Sequence, residues 1–113
     1  MIKVKILIVD DEVDFCILMQ NYFTDKNFDV FIAFNLEEGR KLIDKIRPEV
    51  LFLDNNLPDG EGWSKVNEIM EAYPGLKLNL ISAYGEKPEL IVKSNNIRFW
   101  EKPISTQDLN EIF

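Results

Sequence analysis

Two apolar runs in this sequence end in bare carboxylates. Residues 50–53 (VLFL) lead straight into Asp54, and residues 6–9 (ILIV) lead into Asp10 and Asp11. A carboxylate is among the costliest groups to desolvate, so an acid closing a buried segment needs either a partner or a task. Two further runs end in chemistry of other kinds, a hydroxyl at Ser82 and an ammonium at Lys102. If these ends lie side by side, three acids, a hydroxyl and a lysine share one crevice. Three carboxylates at close quarters repel unless something positive sits among them. A hard divalent cation held by oxygen, such as Mg²⁺, meets that need. A carboxylate beside Mg²⁺ can also act as a nucleophile toward a phosphoryl group. Lys102 would balance the remaining negative charge, and Ser82 would hydrogen-bond a phosphoryl oxygen.

The elements that must position these groups can be read from the periodicity. Residues 4–11, 29–34, 50–54, 76–83 and 97–102 are short apolar runs, the mark of strands buried on both faces. Between them lie helical patterns. The first carries Phe15, Leu18, Met19, Tyr22 and Phe23, and the second Leu36, Leu42, Ile43 and Ile46 after an Asn35 cap. A third helix spans 62–73 and stops at Pro74-Gly75, a short fourth is expected over 87–94, and a fifth begins at Ser105 or Thr106. Strands alternating with helices argue an α/β fold, a five-stranded parallel sheet with helices on both faces. In such sheets ligands bind beyond the C-terminal strand ends. Those are the ends that carry the acids.

Composition narrows the function. The 113 residues make one domain with enough apolar content for a core. Thirteen basic against 20 acidic residues leave a net charge of −7, which repels phosphate backbones and argues against direct nucleic-acid binding. With no histidine, histidine catalysis and histidine metal ligation are excluded. The single cysteine, Cys16, cannot form an internal disulfide and agrees with a reducing compartment. No apolar run approaches a membrane span, and the N-terminus lacks a leader pattern. The expectation is a cytoplasmic protein that does not engage a membrane.

The chain resembles the receiver domain of two-component response regulators. The resemblance rests on VDDE after the first strand, DNNLPDGEG from Asp54, SAYG from Ser82 and FWEKP around Lys102. It implies a flavodoxin-like (βα)₅ fold with strand order 2-1-3-4-5 across residues 1–113, with the fifth helix cut short and any output domain absent. It further implies Asp54 as the residue phosphorylated by a sensor histidine kinase or histidine phosphotransfer protein. Asp11, Asp54 and the Asn56 carbonyl would hold Mg²⁺, with Asp10 acting through metal-bound water. Ser82 would grip the phosphoryl group, and Lys102 would pair with Asp54 or its phosphate. The Lys102–Pro103 peptide would be cis, and Pro58 and Gly62 would shape the loop after Asp54. Phe99 takes the position of an aromatic that swings inward on activation. The implied partners also include a second copy, through the face of the fourth helix, fifth strand and fifth helix.

Plainer readings stand beside these. Asp10 and Asp11 could be a strand exit, and Ser82 an ordinary strand-end hydroxyl. Phe99 and Trp100 could be core aromatics, and Tyr84 either overhangs the site or lies on the surface. Asn55 and Asn79 depart from the usual apolar pattern. FCILM (15–19) holds five apolar residues in a row, more than one buried face can use, so some of them should be exposed beside Asp10 where a partner could dock. Two other functions compete. One is a Mg²⁺-dependent phosphatase or phosphotransferase with Asp10 as nucleophile and Glu12 as second acid. The other is a receiver-like interaction module that needs no phosphorylation.

Overall fold

The structure is a computed structural model that describes residues 2–83 and 96–113. Five strands, β1 (Lys5–Val9), β2 (Asp29–Ala33), β3 (Val50–Asp54), β4 (Lys77–Ser82) and β5 (Ile97–Glu101), form one parallel sheet in the order β2-β1-β3-β4-β5. The expected order therefore holds. The central strand β3 is buried along its whole length, which is why its sequence is apolar without alternation.

Alternate residues feed two cores. Leu7, Val9, Leu51, Leu53, Leu78 and Leu80 face α2 (Leu36–Ile46) and α3 (Val66–Ala72). Ile6, Ile8, Phe52 and Ile81 face α1 (Val13–Asp25) and the C-terminal helix Thr106–Asn110. On α1, Phe15, Cys16 and Met19 turn inward while Ile17 and Leu18 are about half exposed. The five-residue apolar run is thus split between core and surface, as its length required. The third helix begins as a 3₁₀ turn over Gly62–Lys65 before α3. The expected fourth helix and Tyr84 lie outside the described residues.

Helix starts follow local chemistry. The Asn35 side chain accepts from the Glu38 amide at 2.8 Å, and Ser105 caps the C-terminal helix by accepting from the Asp108 amide at 3.0 Å. A second cap on α2 comes from far along the chain. The Asp59 carboxylate accepts from the Leu36 and Glu37 amides at 2.7 and 2.9 Å, and these bonds hold its pKa below the usual carboxylate range. The loop after β3 is thereby clamped to α2.

Asn79 is buried within β4, and its carbonyl accepts a 2.9 Å hydrogen bond from the Trp100 indole on β5. The polar residue that interrupts the fourth strand is therefore satisfied by its neighbour. Trp100→Phe is expected to cost about 1–3 kcal/mol in urea unfolding, because it strands the Asn79 carbonyl in the core. Adding Asn79→Leu should recover much of that loss, since both partners are then apolar. No recovery in the double variant would show that ring packing, and not this bond, sets the cost.

Candidate functional site

The C-terminal ends of β1, β3, β4 and β5 bring the predicted groups together. Carboxylate oxygens of Asp10, Asp11 and Asp54 all lie within 4.8 Å of one another. Asp11, Glu12, Asp54, Asn56, Ala83 and Lys102 line an open cavity of about 510 Å³. Asp10 lies behind it, fully buried, while Asp54 reaches its surface with 5% exposure. A larger cavity of about 840 Å³ opens at the opposite end of the sheet, among residues such as Pro48, Tyr73 and Asn96, away from these acids.

Each group is fixed by backbone. Asp10 accepts from the Glu12 amide at 2.9 Å through Oδ1, and its own amide donates to Ala33 at 3.0 Å. The Lys102 amide donates to the Ser82 carbonyl at 2.9 Å, which ties the ends of β4 and β5. The Ser82 hydroxyl is buried and donates a long 3.4 Å bond to the Trp100 carbonyl. After Asp54 the chain folds into a two-stranded ribbon, Asn56–Leu57 against Gly60–Glu61, which holds Asn56 at the rim. The Asn55 side chain accepts from the Trp63 amide at 3.1 Å. The Lys102–Pro103 peptide is cis.

The electrostatics are those of crowded acids. Burial, reinforced by the Asp10 charge, pushes Asp54 up to about 6, against the opposing pull of Lys102 and the Asn56 and Asn55 amides. Burial also raises Asp10. For Lys102 burial works to lower the pKa, but the close Asp10 and Glu12 carboxylates and the Asp54 charge outweigh it and the net shift is upward. The Cys16 thiol is pushed up to about 12 by burial and then by Asp10, which favours the neutral thiol at this position.

The lysine sits differently from the simplest expectation. Its ammonium pairs with Asp10 Oδ2 at 2.9 Å and with Glu12 Oε1 at 3.0 Å, over the Phe15 ring at 4.6 Å. Among the described residues these are its ion pairs, and Asp54 feels it only through its field. The contact with Asp10 is close but not aligned as a hydrogen bond, and Oδ2 is left as a fully buried oxygen without a hydrogen-bond partner. A buried carboxylate oxygen held by an ion pair alone, beside two further acids, is the donor set a hard divalent cation uses. The residues present fit such an ion.

Residues 6–113 match the profile of the response regulator receiver domain. The chain belongs to that family. It is 32% identical over 114 residues to the response regulator protein PilR of Pseudomonas aeruginosa, covering 99% of this chain and 26% of PilR. It is 29% identical to the chemotaxis protein CheY of Listeria monocytogenes, over 95% of this chain and 92% of CheY. Among solved structures, the receiver domain of NtrX from Brucella abortus superposes with a TM-score of 0.78 at 26% identity, covering 95% of this chain and 92% of that one. This receiver domain thus spans about a quarter of PilR and nearly the full length of CheY. No helix among its described residues is long and apolar enough to cross a membrane.

Three residues carry more of the site than their sequence suggested. Glu12 holds Lys102, Asp59 clamps the Asp54 loop, and the Trp63 indole donates to the Leu53 carbonyl at 3.3 Å while standing edge-on to Phe99 at 6.5 Å. Phe99 itself is 48% exposed, on the face of β5 that it shares with Leu80 of β4. Val13 is 54% exposed, and with Ile17 and Leu18 it forms an open apolar strip on α1 that begins directly after Glu12.

Proposed function

We propose that this receiver domain accepts a phosphoryl group on Asp54, in a Mg²⁺-dependent reaction, from a histidine phosphodonor. The observation that carries this reading is the grouping of the Asp10, Asp11 and Asp54 carboxylates beside a cavity that Asp54, Asp11 and Lys102 line and Asp10 does not. In the transfer an Asp54 oxygen attacks phosphorus, the Oδ–P bond forms, and the P–N bond to the donor imidazole breaks with its electron pair leaving on nitrogen. Asp54 must be ionised to attack, and a pKa of about 6 leaves it so at neutral pH. Asp10, Asp11, Asp54 and the Asn56 carbonyl would hold the ion, which when bound neutralises charge on the transferring oxygens. Lys102 takes up negative charge on the phosphoryl group, and Ser82 exchanges its long bond to Trp100 for a phosphoryl oxygen.

The partners that fit are a sensor histidine kinase or a histidine phosphotransfer protein. The exposed Val13, Ile17 and Leu18 strip supports docking there, since it begins directly after Glu12, which lines the cavity. Phosphorylation then alters charge and packing at the strand ends, and the edge-on contact of Trp63 with Phe99 supports a readout through that pair. The site also opposes Asp10 as acceptor, because Asp10 is wholly buried and its Oδ1 is engaged by the Glu12 amide.

Intact mass after incubation with acetyl phosphate tests the reading. One phosphoryl adduct is expected with Mg²⁺ and essentially none without it. Absence of an adduct, where a known receiver is labelled in parallel, would leave a phosphorylation-independent interaction module. An adduct on Asp10 would return the phosphatase reading.

A further inference from the structure

We propose that Glu12 is a positioning residue that holds the Lys102 ammonium against Asp10 and away from Asp54, so that loading of Asp54 requires Lys102 to be released. This rests on the reading of Asp54 as the acceptor. The geometry gives Lys102 three fixed neighbours on the β1–α1 side. Glu12 Oε1 accepts a hydrogen bond from Nζ at 3.0 Å, Asp10 Oδ2 stands 2.9 Å away, and the Phe15 ring lies beneath at 4.6 Å. Asp54, across the cavity, acts on the ammonium through its charge alone.

Among the described residues the Glu12 side chain bonds to Lys102 alone. It stands at the N-cap of α1, yet its side chain makes no capping bond there, and it is largely exposed. Its short reach to Lys102 crosses 90 residues of sequence. Of the two acids on Lys102, Asp10 is buried behind the cavity, and its contact is the misaligned one. Glu12 is therefore the group that makes the aligned bond and fixes where the ammonium points. A phosphoryl group arriving on Asp54 must draw Lys102 across the cavity against that bond. An exposed ion pair of this kind biases such a choice by a factor of about two to five.

Two measurements on Glu12→Ala test this. In protein labelled with ¹⁵N-lysine, without Mg²⁺, the held Lys102 ammonium is expected to give a resolved Nζ–H correlation that disappears in Glu12→Ala. Persistence of that signal unchanged would overturn the hold. Loading by acetyl phosphate at saturating Mg²⁺ is expected to be about two- to five-fold faster in Glu12→Ala. An equal or slower rate would overturn the competition.

The lost negative charge could by itself favour an anionic donor, so the cycle is completed in a Lys102→Ala background. There the gain should vanish, and a gain of equal size would assign the effect to charge alone and overturn the proposal. A wild-type protein that takes no label defeats the Asp54 reading, while the lysine signal still decides whether Glu12 holds Lys102.

Discussion

Asp54→Asn is expected to abolish the Mg²⁺-dependent phosphoryl adduct and, in the same protein without metal, to raise stability at pH 7. The first effect follows from chemistry. The amide has no anionic oxygen to attack phosphorus, and Asp10 does not take its place, because it is buried with Oδ1 already engaged. The second follows from the cost of the site. Burial and then the Asp10 charge raise Asp54 from 3.8 to about 6. Below pH 3.8 the group is neutral in both folded and unfolded chains. As pH climbs from there through 6, the unfolded chain releases its proton first, so wild-type stability falls, and above that range the full cost is present.

A shift of that size corresponds to about 1–3 kcal/mol, which for a domain this long raises Tm by ~4–10 °C when the charge is removed. The gain should be present at pH 7 and fade by about pH 4. Mg²⁺ should reverse the ranking, because a ligand at about 100 times its Kd stabilises the folded form by ~2.7 kcal/mol and the amide variant has lost one of its donors. Thermal melts of both proteins at pH 4 and pH 7, with and without Mg²⁺, check all of this. A variant no more stable than wild type at pH 7 without metal would show that the three acids are not in conflict.

How much of this was legible in the sequence depended on whether a contact was local or crossed the fold. Asp10, Asp11, Asp54, Ser82 and Lys102 could be placed because a parallel sheet aligns its strand ends, so each position followed from its own strand. The Asn35 cap was legible for the same reason, since its partner Glu38 lies three residues on. The split of residues 15–19 between core and surface follows from helix geometry alone. The Asp59 clamp on Leu36 and Glu37 spans 23 and 22 residues, and nothing near Asp59 marks it.

Asn79 looked like a flaw in a strand until the register set it diagonally across from Trp100. The choice of Lys102 between Asp54 and Glu12 turns on the path of the β1–α1 turn. That turn is set by Asp10 accepting the Glu12 amide, a detail smaller than any pattern of residue types can resolve.

Gly62→Ala should be the most damaging single methyl group that can be added to this loop. A Cβ at position 62 would overlap the Asp54 backbone carbonyl oxygen and press on Leu53 Cδ1 at 3.0 Å. Neither can yield, because Leu53 and Asp54 belong to the buried central strand, paired with β4 on one side and, at Leu53, with β1 on the other. The loop must move instead. Doing so breaks the Gly62 amide bond to the Asn55 carbonyl at 3.0 Å and the Trp63 amide bond to the Asn55 side chain. Overpacking and the lost bonds together should cost about 2–4 kcal/mol.

The same displacement carries Asn56 and the ribbon away from the acids, so Mg²⁺ affinity and labelling of Asp54 should fall with stability. Gly75→Ala is the matched control, because a Cβ there meets nothing within 4 Å, and it should stay within about 0.5 kcal/mol of wild type. Urea unfolding and Mg²⁺ titration of both variants decide the matter. If Gly62→Ala keeps wild-type stability and metal affinity, the loop is looser than its close seat on β3 indicates, and Asn56 is not held at the rim by that seat. If both fall together, the glycine is what lets the chain turn close enough to Asp54 to build the site.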